Sequence, residues 1–356
     1  MNKKRILITA IGGGGHGDQV LKALLMERDR YEIIGADANP ECAQASSVDQ
    51  FVQLPFASDV NYIEILLDYC DRLKIDALIH GCEPELILHN KYRKLIEDAG
   101  IFLPINSSAL IEMCMNKART NSCLKDLGFP APKYLNVTSE SELTAIDWFP
   151  VVVKPAVGGG GSANVFIAQD LKELSGLASY LGLGGMTKGF MIQEYIGTPE
   201  QEFTVGVLHD LDGQYINSIA LRRHLKSGLS VRTSVANRTE KKELGDRLVI
   251  SSGVSQGDIG RFPEVTEQCR EIADRLGSCG PLNFQCRFFE GKVHIFEINP
   301  RFSGTTSLRA MVGLNEPDLL LRKHIMFEEI ETEFSYKEGT ILRSLVENYN
   351  SLKEIA

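Results

Sequence analysis

The order of apolar and polar positions changes character along the chain. Residues 5–11 read as a strand, 18–26 as a helix with Val20, Leu21, Leu24 and Leu25 on one face, and 32–36 as a second strand. The rhythm continues through Phe51-Val52, a helical 61–73, a strand at 77–80, a helical 85–98 and a short run at 101–104. Such alternation predicts an α/β unit built on a doubly wound parallel sheet. Residues 107–127 then read as two helices, ended by Gly128 and Pro130-Ala131-Pro132, because proline restricts both itself and the residue before it.

Beyond this boundary strands dominate. Residues 151–154 and 164–168 flank a glycine run, a helix is expected over 171–180, and a glycine-rich 182–189 follows. That composition suits a small mobile unit. Longer strands come next at 190–195, 202–209 and 214–221, then a helix over 264–276 and a hairpin over 282–299. The expected divisions are therefore 1–112, 113–189, 190–330 and 331–356. The last of these docks as a helix or hangs loose, and the pattern does not choose.

Composition narrows the function classes. A chain of 356 residues, at about 150 per domain, has room for two or three domains, and 43% apolar with 24% charged residues is an ordinary globular mixture. No run approaches the roughly 18 apolar residues of a membrane helix, and the apolar stretch after Lys3-Lys4-Arg5 is too short for a leader, so a cytoplasmic protein is expected. With 38 basic against 47 acidic residues the net charge is -9, which makes nucleic acid a poor partner. The 8 cysteines form no Cys-x-x-Cys pair and the 7 histidines no His-Glu-x-x-His, so buried thiols are expected and no zinc site.

Two glycine runs carry different meanings. Gly12-Gly13-Gly14-Gly15-His16-Gly17 fits G-x-G-x-x-G between a strand and a helix, with Asp37 twenty residues after Gly17. The physical content is narrower than a dinucleotide site: backbone N–H groups at a helix start can approach a phosphate or a carboxylate. The second run, Gly158, Gly159, Gly160, Gly161 and Ser162, lies between strands and lacks a following Gly-Lys-Ser/Thr, so it is not a P-loop. Its lysine, Lys154, precedes it, which suits a hairpin folding over phosphates above a fixed charge.

The hairpin over 282–299 raises a register question. Alternation puts Asn283, Gln285 and Arg287 on one face of the first strand and Glu297 and Asn299 together on the second, about 7 Å apart at ~3.3 Å per residue. A two-residue turn would set Gln285 against Phe296 and mix the faces. A three-residue turn at Glu290-Gly291-Lys292 sets Gln285 against Glu297 and Asn283 against Asn299, so that register is expected. One carboxylate among carboxamides suits Mg²⁺ shared with phosphates rather than zinc. Arg222, Arg223 and Arg232 surround Lys226-Ser227-Gly228 and either anchor a substrate carboxylate or make exposed pairs. Glu83 and Glu85 follow the strand at 77–80, where parallel sheets bind ligands.

With Lys117, Lys154-Pro155, the 158–162 run, Gln193-Glu194-Tyr195-Ile196, Glu202-Phe203-Thr204-Val205 and Glu297-Ile298-Asn299-Pro300-Arg301 in this order, the chain resembles the ATP-grasp superfamily, and in particular one synthetase unit of the carbamoyl-phosphate synthase large subunit. The resemblance covers about residues 1–325. It implies a Rossmann-like domain followed by an ATP-grasp fold with a small mobile lid and an α+β C-terminal domain. It implies ATP and Mg²⁺ (or Mn²⁺) as cofactors, with Lys117 and Lys154 on the α- and β-phosphates and the 158–162 loop over the β- and γ-phosphates. The backbone of Glu194 and Ile196 would read adenine, with Gln193 and Tyr195 beside it, and Glu202 would hold the ribose hydroxyls. Gln285, Glu297 and Asn299 match the metal ligands, and Arg301 the arginine at the transferred phosphoryl group, with Arg223 and Lys154 as further catalytic candidates. The implied activity is ATP-dependent ligation of a carboxylate to an amine or thiol through an acyl phosphate, on small-molecule substrates, in a chain able to form a homodimer. That large subunit carries two such units and this sequence one, so its activity is not assigned. A nicotinamide-dependent oxidoreductase using residues 12–17 and Asp37, and a non-catalytic ATP-binding regulator, stay open.

Overall fold

The computed structural model describes residues 3–155, 164–181 and 190–345. The first unit runs β1 (Lys4–Ile8), α1 (His16–Leu25), β2 (Tyr31–Asp37), β3 (Gln50–Gln53), α2 (Tyr62–Arg72), β4 (Ala77–Ile79), α3 (Glu83–Lys91) and α4 (Arg93–Asp98). Its sheet is parallel, in the order β3-β2-β1-β4. Both faces are covered, as parallel sheets require. Ile6, Ile8 and Ile33 pack with α1, while Leu7, Ile34 and Leu78 pack with α2 on the other side.

Two capped helices follow, α5 (Ser108–Cys114) and α6 (Lys117–Asp126). The Asn116 side chain accepts from the N–H groups of Ala118 and Arg119, which starts α6 at Lys117. A smaller antiparallel sheet then forms from β5 (Tyr134–Val137), β6 (Val151–Pro155), β7 (Phe166–Ala168) and, after α7 (Leu171–Leu181), β8 (Phe190–Glu194), in the order β5-β8-β6-β7. The strand expected to begin the C-terminal unit thus belongs to this sheet, because Met191 and Ile192 pair with Lys154 and Val153.

The larger antiparallel sheet takes β9 (Glu202–His209) and β10 (Tyr215–Arg223), followed by a separate hairpin of β11 (Val231–Ala236) and β12 (Arg247–Ser251) that the sequence pattern did not reveal. It continues with β13 (Gly257–Gly260), the helix α8 (Pro263–Arg275), β14 (Pro281–Phe289) and β15 (Lys292–Asn299). Two helices, α9 (Thr306–Met311) and α10 (Glu316–Ile325), precede β16 (Gly339–Ile341), and the sheet order is β15-β14-β9-β10-β13-β16. The chain beyond residue 330 is therefore neither helical nor loose where it is described. It adds an edge strand, with Gly339, Thr340 and Ile341 pairing with Ile259, Asp258 and Gly257. Leu319, Leu320 and Leu321 of α10 share one core with α1 and β1, which ties the large sheet to the parallel sheet.

The decisive hairpin has the expected pairing at its functional end by a different route. Asn283 faces Asn299 and Gln285 faces Glu297, but Cys286 faces Ile295 and Phe289 faces Lys292. The turn has two residues, Glu290 and Gly291, both at positive φ (51° and 75°), the conformation that two-residue hairpins favour. The register is recovered by Phe296, an extra residue bulged out of β15. The turn is therefore one residue shorter than the expected Glu290-Gly291-Lys292.

Candidate active site

A cavity of about 780 Å³ lies where the three units meet. Strands β6 and β8 supply Lys154, Gln193 and Glu194, the large sheet supplies Glu202, Asn283, Gln285 and Glu297, and the N-terminal unit closes one end with residues 13–16 and 81–84. That end depends on backbone contact between the loops after β1 and β4. A Cβ at Gly81 would stand 1.9 Å from the Thr9 carbonyl oxygen, and one at Gly17 2.4 Å from that of Ala10. Only glycine fits there.

Lys154 is buried, at 7% exposure, and its Nζ donates to Gln193 Oε1 (2.7 Å) and to the Phe296 carbonyl (3.2 Å). The bulge at Phe296 therefore also presents an oxygen to this lysine. Burial holds the Lys154 pKa down to about 8, against the pull of the Glu297 carboxylate, with Lys117 adding to the depression. Lys117, first in α6, lies 4.0 Å from Glu297 Oε1.

Arg301 donates from Nη2 to Glu83 Oε1 (2.8 Å) and Asn299 Oδ1 (3.1 Å), and from Nη1 to the Phe302 carbonyl (3.0 Å). Burial pushes the Glu83 carboxyl up, but the Arg301 charge and hydrogen bond, with Lys117 beyond, bring it below the usual carboxylate range. Gln285 and Glu297 line the cavity directly, whereas Asn299 is buried behind them against Arg301. Several polar atoms here have no protein partner: Gln193 Nε2, Asn299 Nδ2, Arg223 Nε and Arg301 Nε. Buried groups of this kind are ordinarily paired, and all four are donors, which suits a ligand rich in acceptor atoms such as a nucleotide. One carboxylate and a carboxamide oxygen suit a hard cation that takes its other ligands from phosphate and water. Among the described residues no group of three or more His, Cys, Asp or Glu forms a metal cluster.

Two assignments change. Arg223 is not a free anion clamp. Both hydrogens of Nη1 go to Glu202 Oε1 and Ser251 Oγ, and both of Nη2 to the Ser252 and Val254 carbonyls, so it fixes the 251–254 wall of the cavity. Nor do the three arginines cluster. Arg222 and Arg223 point to opposite faces of β10, Arg222 pairs with Asp258 at 2.7 Å, and Arg232 is exposed on β11. Glu202 lines the cavity, yet its two oxygens are held by Arg223 (3.2 Å) and Arg287 (3.0 Å). Arg287, which sequence reasoning placed only on a strand face, lies 4.4 Å over the Tyr195 ring and donates to the carbonyls of Ile196, Gly197 and Val249. Glu202 thus organises the 195–197 backbone through Arg287. Tyr195 is buried and exchanges hydrogen bonds with the Val249 backbone, which joins β8 to β12.

The dinucleotide reading of the first glycine run loses its acidic partner, since Asp37 Oδ2 accepts from the Gly12 N–H at 2.7 Å within the loop itself. Glu85 is also turned away: it accepts from Thr9, Tyr62 and the Gly81 N–H, and burial raises its pKa. The second run, Gly158 to Ser162, lies outside the described residues. No helix among the described residues is long and apolar enough to cross a membrane.

A family model described as ATP-grasp in the biosynthetic pathway with Ter operon matches residues 187–343, and a PylC-like N-terminal domain model matches residues 6–103. The carbamoyl phosphate synthase large chain of Gemmatimonas aurantiaca is 24% identical over 370 residues, covering 99% of this chain and 30% of that protein. The chain thus spans less than a third of that relative's length. The D-alanine–D-alanine ligase of Pseudomonas putida is 31% identical over 176 residues, 46% of this chain and 51% of the ligase. Among solved structures, the biotin carboxylase domain of Hydrogenobacter thermophilus 2-oxoglutarate carboxylase, in complex with MgADP, ADP and bicarbonate, superposes with a TM-score of 0.63 at 16% identity, covering 93% of this chain and 71% of that one.

Proposed function

The chain carries an ATP-grasp domain behind a Rossmann-like unit, and on that premise we propose that it is an ATP-dependent ligase that activates a small carboxylic acid as an acyl phosphate and passes the acyl group to an amine or thiol. The observation that carries the reading is the juxtaposition in one cavity of Lys154, Lys117 and Arg301 with Gln285 and Glu297. Lys154 and Lys117 beside the Glu297 carboxylate and the Gln285 carboxamide, with Arg301 held by Glu83, suit a triphosphate and its metal, and have no evident use in hydride transfer.

In this reading the nucleotide base lies against the 194–196 backbone that Arg287 fixes, with Gln193 and Tyr195 beside it and the ribose near Glu202. Lys117 and Lys154 hold the phosphates. Gln285 and Glu297 would hold Mg²⁺ or Mn²⁺, with Asn299 behind them against Arg301, and the ion when bound neutralises charge on the transferred phosphoryl group. Arg301, steered by Glu83 and Asn299, faces the γ-phosphate. The protein needs no nucleophile of its own. It aligns the acid oxygen with the γ-phosphorus, ADP departs, and the acceptor then attacks the acyl carbon and releases phosphate.

The test is a screen of carboxylic acids with MgATP and hydroxylamine, which converts any acyl phosphate to a hydroxamate. Acid-dependent ADP release with matching hydroxamate is expected for at least one acid class. Stoichiometric MgATP binding without hydroxamate from any acid would favour the regulatory alternative.

A further inference from the structure

We propose that Arg343, in the stretch that follows β16, is a positioning residue for the carboxylic acid: it pins the walls at the end of the cavity where the acid meets the γ-phosphate. The inference rests on the ligase reading above and deepens it by giving the last part of the described chain a role in that site. The cavity does not stop at Arg301. Past it lie Ser303 and Gly304, the 252–255 wall and residues 13–16 of the N-terminal unit. With the base at 194–196 and the phosphates at Lys117 and Lys154, this end is left for the acid.

Three of these surfaces converge on one guanidinium. Arg343 donates from Nε to the Ser255 carbonyl (2.9 Å), and from Nη2 to the Gly304 carbonyl (2.6 Å) and to Gln19 Oε1 of α1 (2.8 Å). Its backbone N–H donates to Gln256 Oε1 (3.0 Å). Strand pairing brings it there, because Ile341 faces Gly257 in the antiparallel ladder and the same register carries residue 343 to residue 255. Ser255 and Gly304 line the cavity, and Gln19 stands three residues after His16, which lines it too. Gln19 is 1% exposed, and its Oε1 also accepts from Ser307 of α9. Arg343 is not itself among the lining residues, so it acts through the groups it holds.

The arrangement calls for a guanidinium. A rigid planar fork donates in several directions at once, whereas an ammonium keeps the charge and loses the fork. The 252–255 wall is braced from its other end by Arg223, which holds the Ser252 and Val254 carbonyls and is itself held by Glu202. One arginine thus ties the wall to the nucleotide half of the cavity and the other ties it to α1.

The experiment compares the steady-state kinetics of wild type, Arg343→Gln, Arg343→Lys and Gln19→Leu, using MgATP, an acid found in the hydroxylamine screen and hydroxylamine as acceptor. Both Arg343 variants should lose about 100-fold in kcat/KM for the acid, the scale of loss when a reacting group is misplaced by about 1 Å, while the KM for ATP stays near the wild-type value. Gln19→Leu removes the acceptor at the far end of the bond and should give the same acid-specific loss, to which Arg343→Gln adds little in the double variant. An acid kcat/KM unchanged in Arg343→Gln or in Gln19→Leu, recovery in Arg343→Lys, or a KM for ATP that rises as much as the acid kcat/KM falls, overturns the assignment of Arg343 alone. A wild type that forms no hydroxamate from any acid overturns the ligase reading and this role with it.

Discussion

Lys154→Met is expected to lower acid-dependent ADP formation on the order of 1,000-fold without destabilising the protein. The lysine is buried among Gln193, the Phe296 carbonyl and Glu297, in a place that holds its pKa down to about 8. An unfolded lysine titrates near 10.5, so the unfolded chain binds more protons between these values and stability rises as pH climbs from about 8 towards 10.5. At pH 7 the folded protein therefore holds this charge at a cost, which a triphosphate would offset. Methionine fills a similar volume without the charge, so the variant should melt no lower than wild type at pH 7 and should lack the gain in stability above pH 8. Thermal melts from pH 7 to 10, beside ADP release, check both halves. Glu297→Gln is expected to lose activity to a similar degree, since it removes the carboxylate that lies opposite Gln285 and nearest Lys117.

Glu202→Ala should lower the melting temperature by about 5 °C in the absence of nucleotide. Its two oxygens hold Arg223 and Arg287, which are 5% and 6% exposed, and removing the carboxylate leaves two buried guanidinium groups without a counter-ion. Breaking a buried pair in this way costs about 3–5 kcal/mol, and at roughly 1.3 °C per kcal/mol for a chain of this size the shift is readily seen by calorimetry. The measurement separates two roles. A residue that only held ribose hydroxyls would raise the KM for ATP and leave the melting temperature of the free protein unmoved. Through Arg287 the same substitution also loosens the carbonyls of Ile196 and Gly197, so both effects are expected together.

The sequence made the central geometry legible where alternation was strict. In residues 282–288 polar and apolar positions alternate without error, and this alone sets Gln285 against Glu297. The turn length was not legible, because a bulge shifts register while leaving most of the pattern intact. Its one trace is the adjacent apolar pair Ile295-Phe296. The fate of Arg223 was hidden for a related reason. Neighbouring Arg222 and Arg223 look equivalent in sequence, and only the pleat sends one to solvent and the other to Glu202. A row of three buried imidazoles was invisible as well. His16, His80 and His89 come from α1, the end of β4 and α3, and it is the pairing of β1 with β4 that brings these elements side by side. Residues after 330 carry too little periodicity to announce an edge strand, and their place depends on pairing with β13.

The transfer of isotope from a carboxylate labelled with ¹⁸O, using the acid identified by hydroxylamine trapping, tests the chemistry most directly. If the acid oxygen attacks the γ-phosphorus and the acceptor later attacks the acyl carbon, one labelled oxygen must appear in each phosphate released. Phosphate free of label, formed while the ligated product accumulates, would contradict the account.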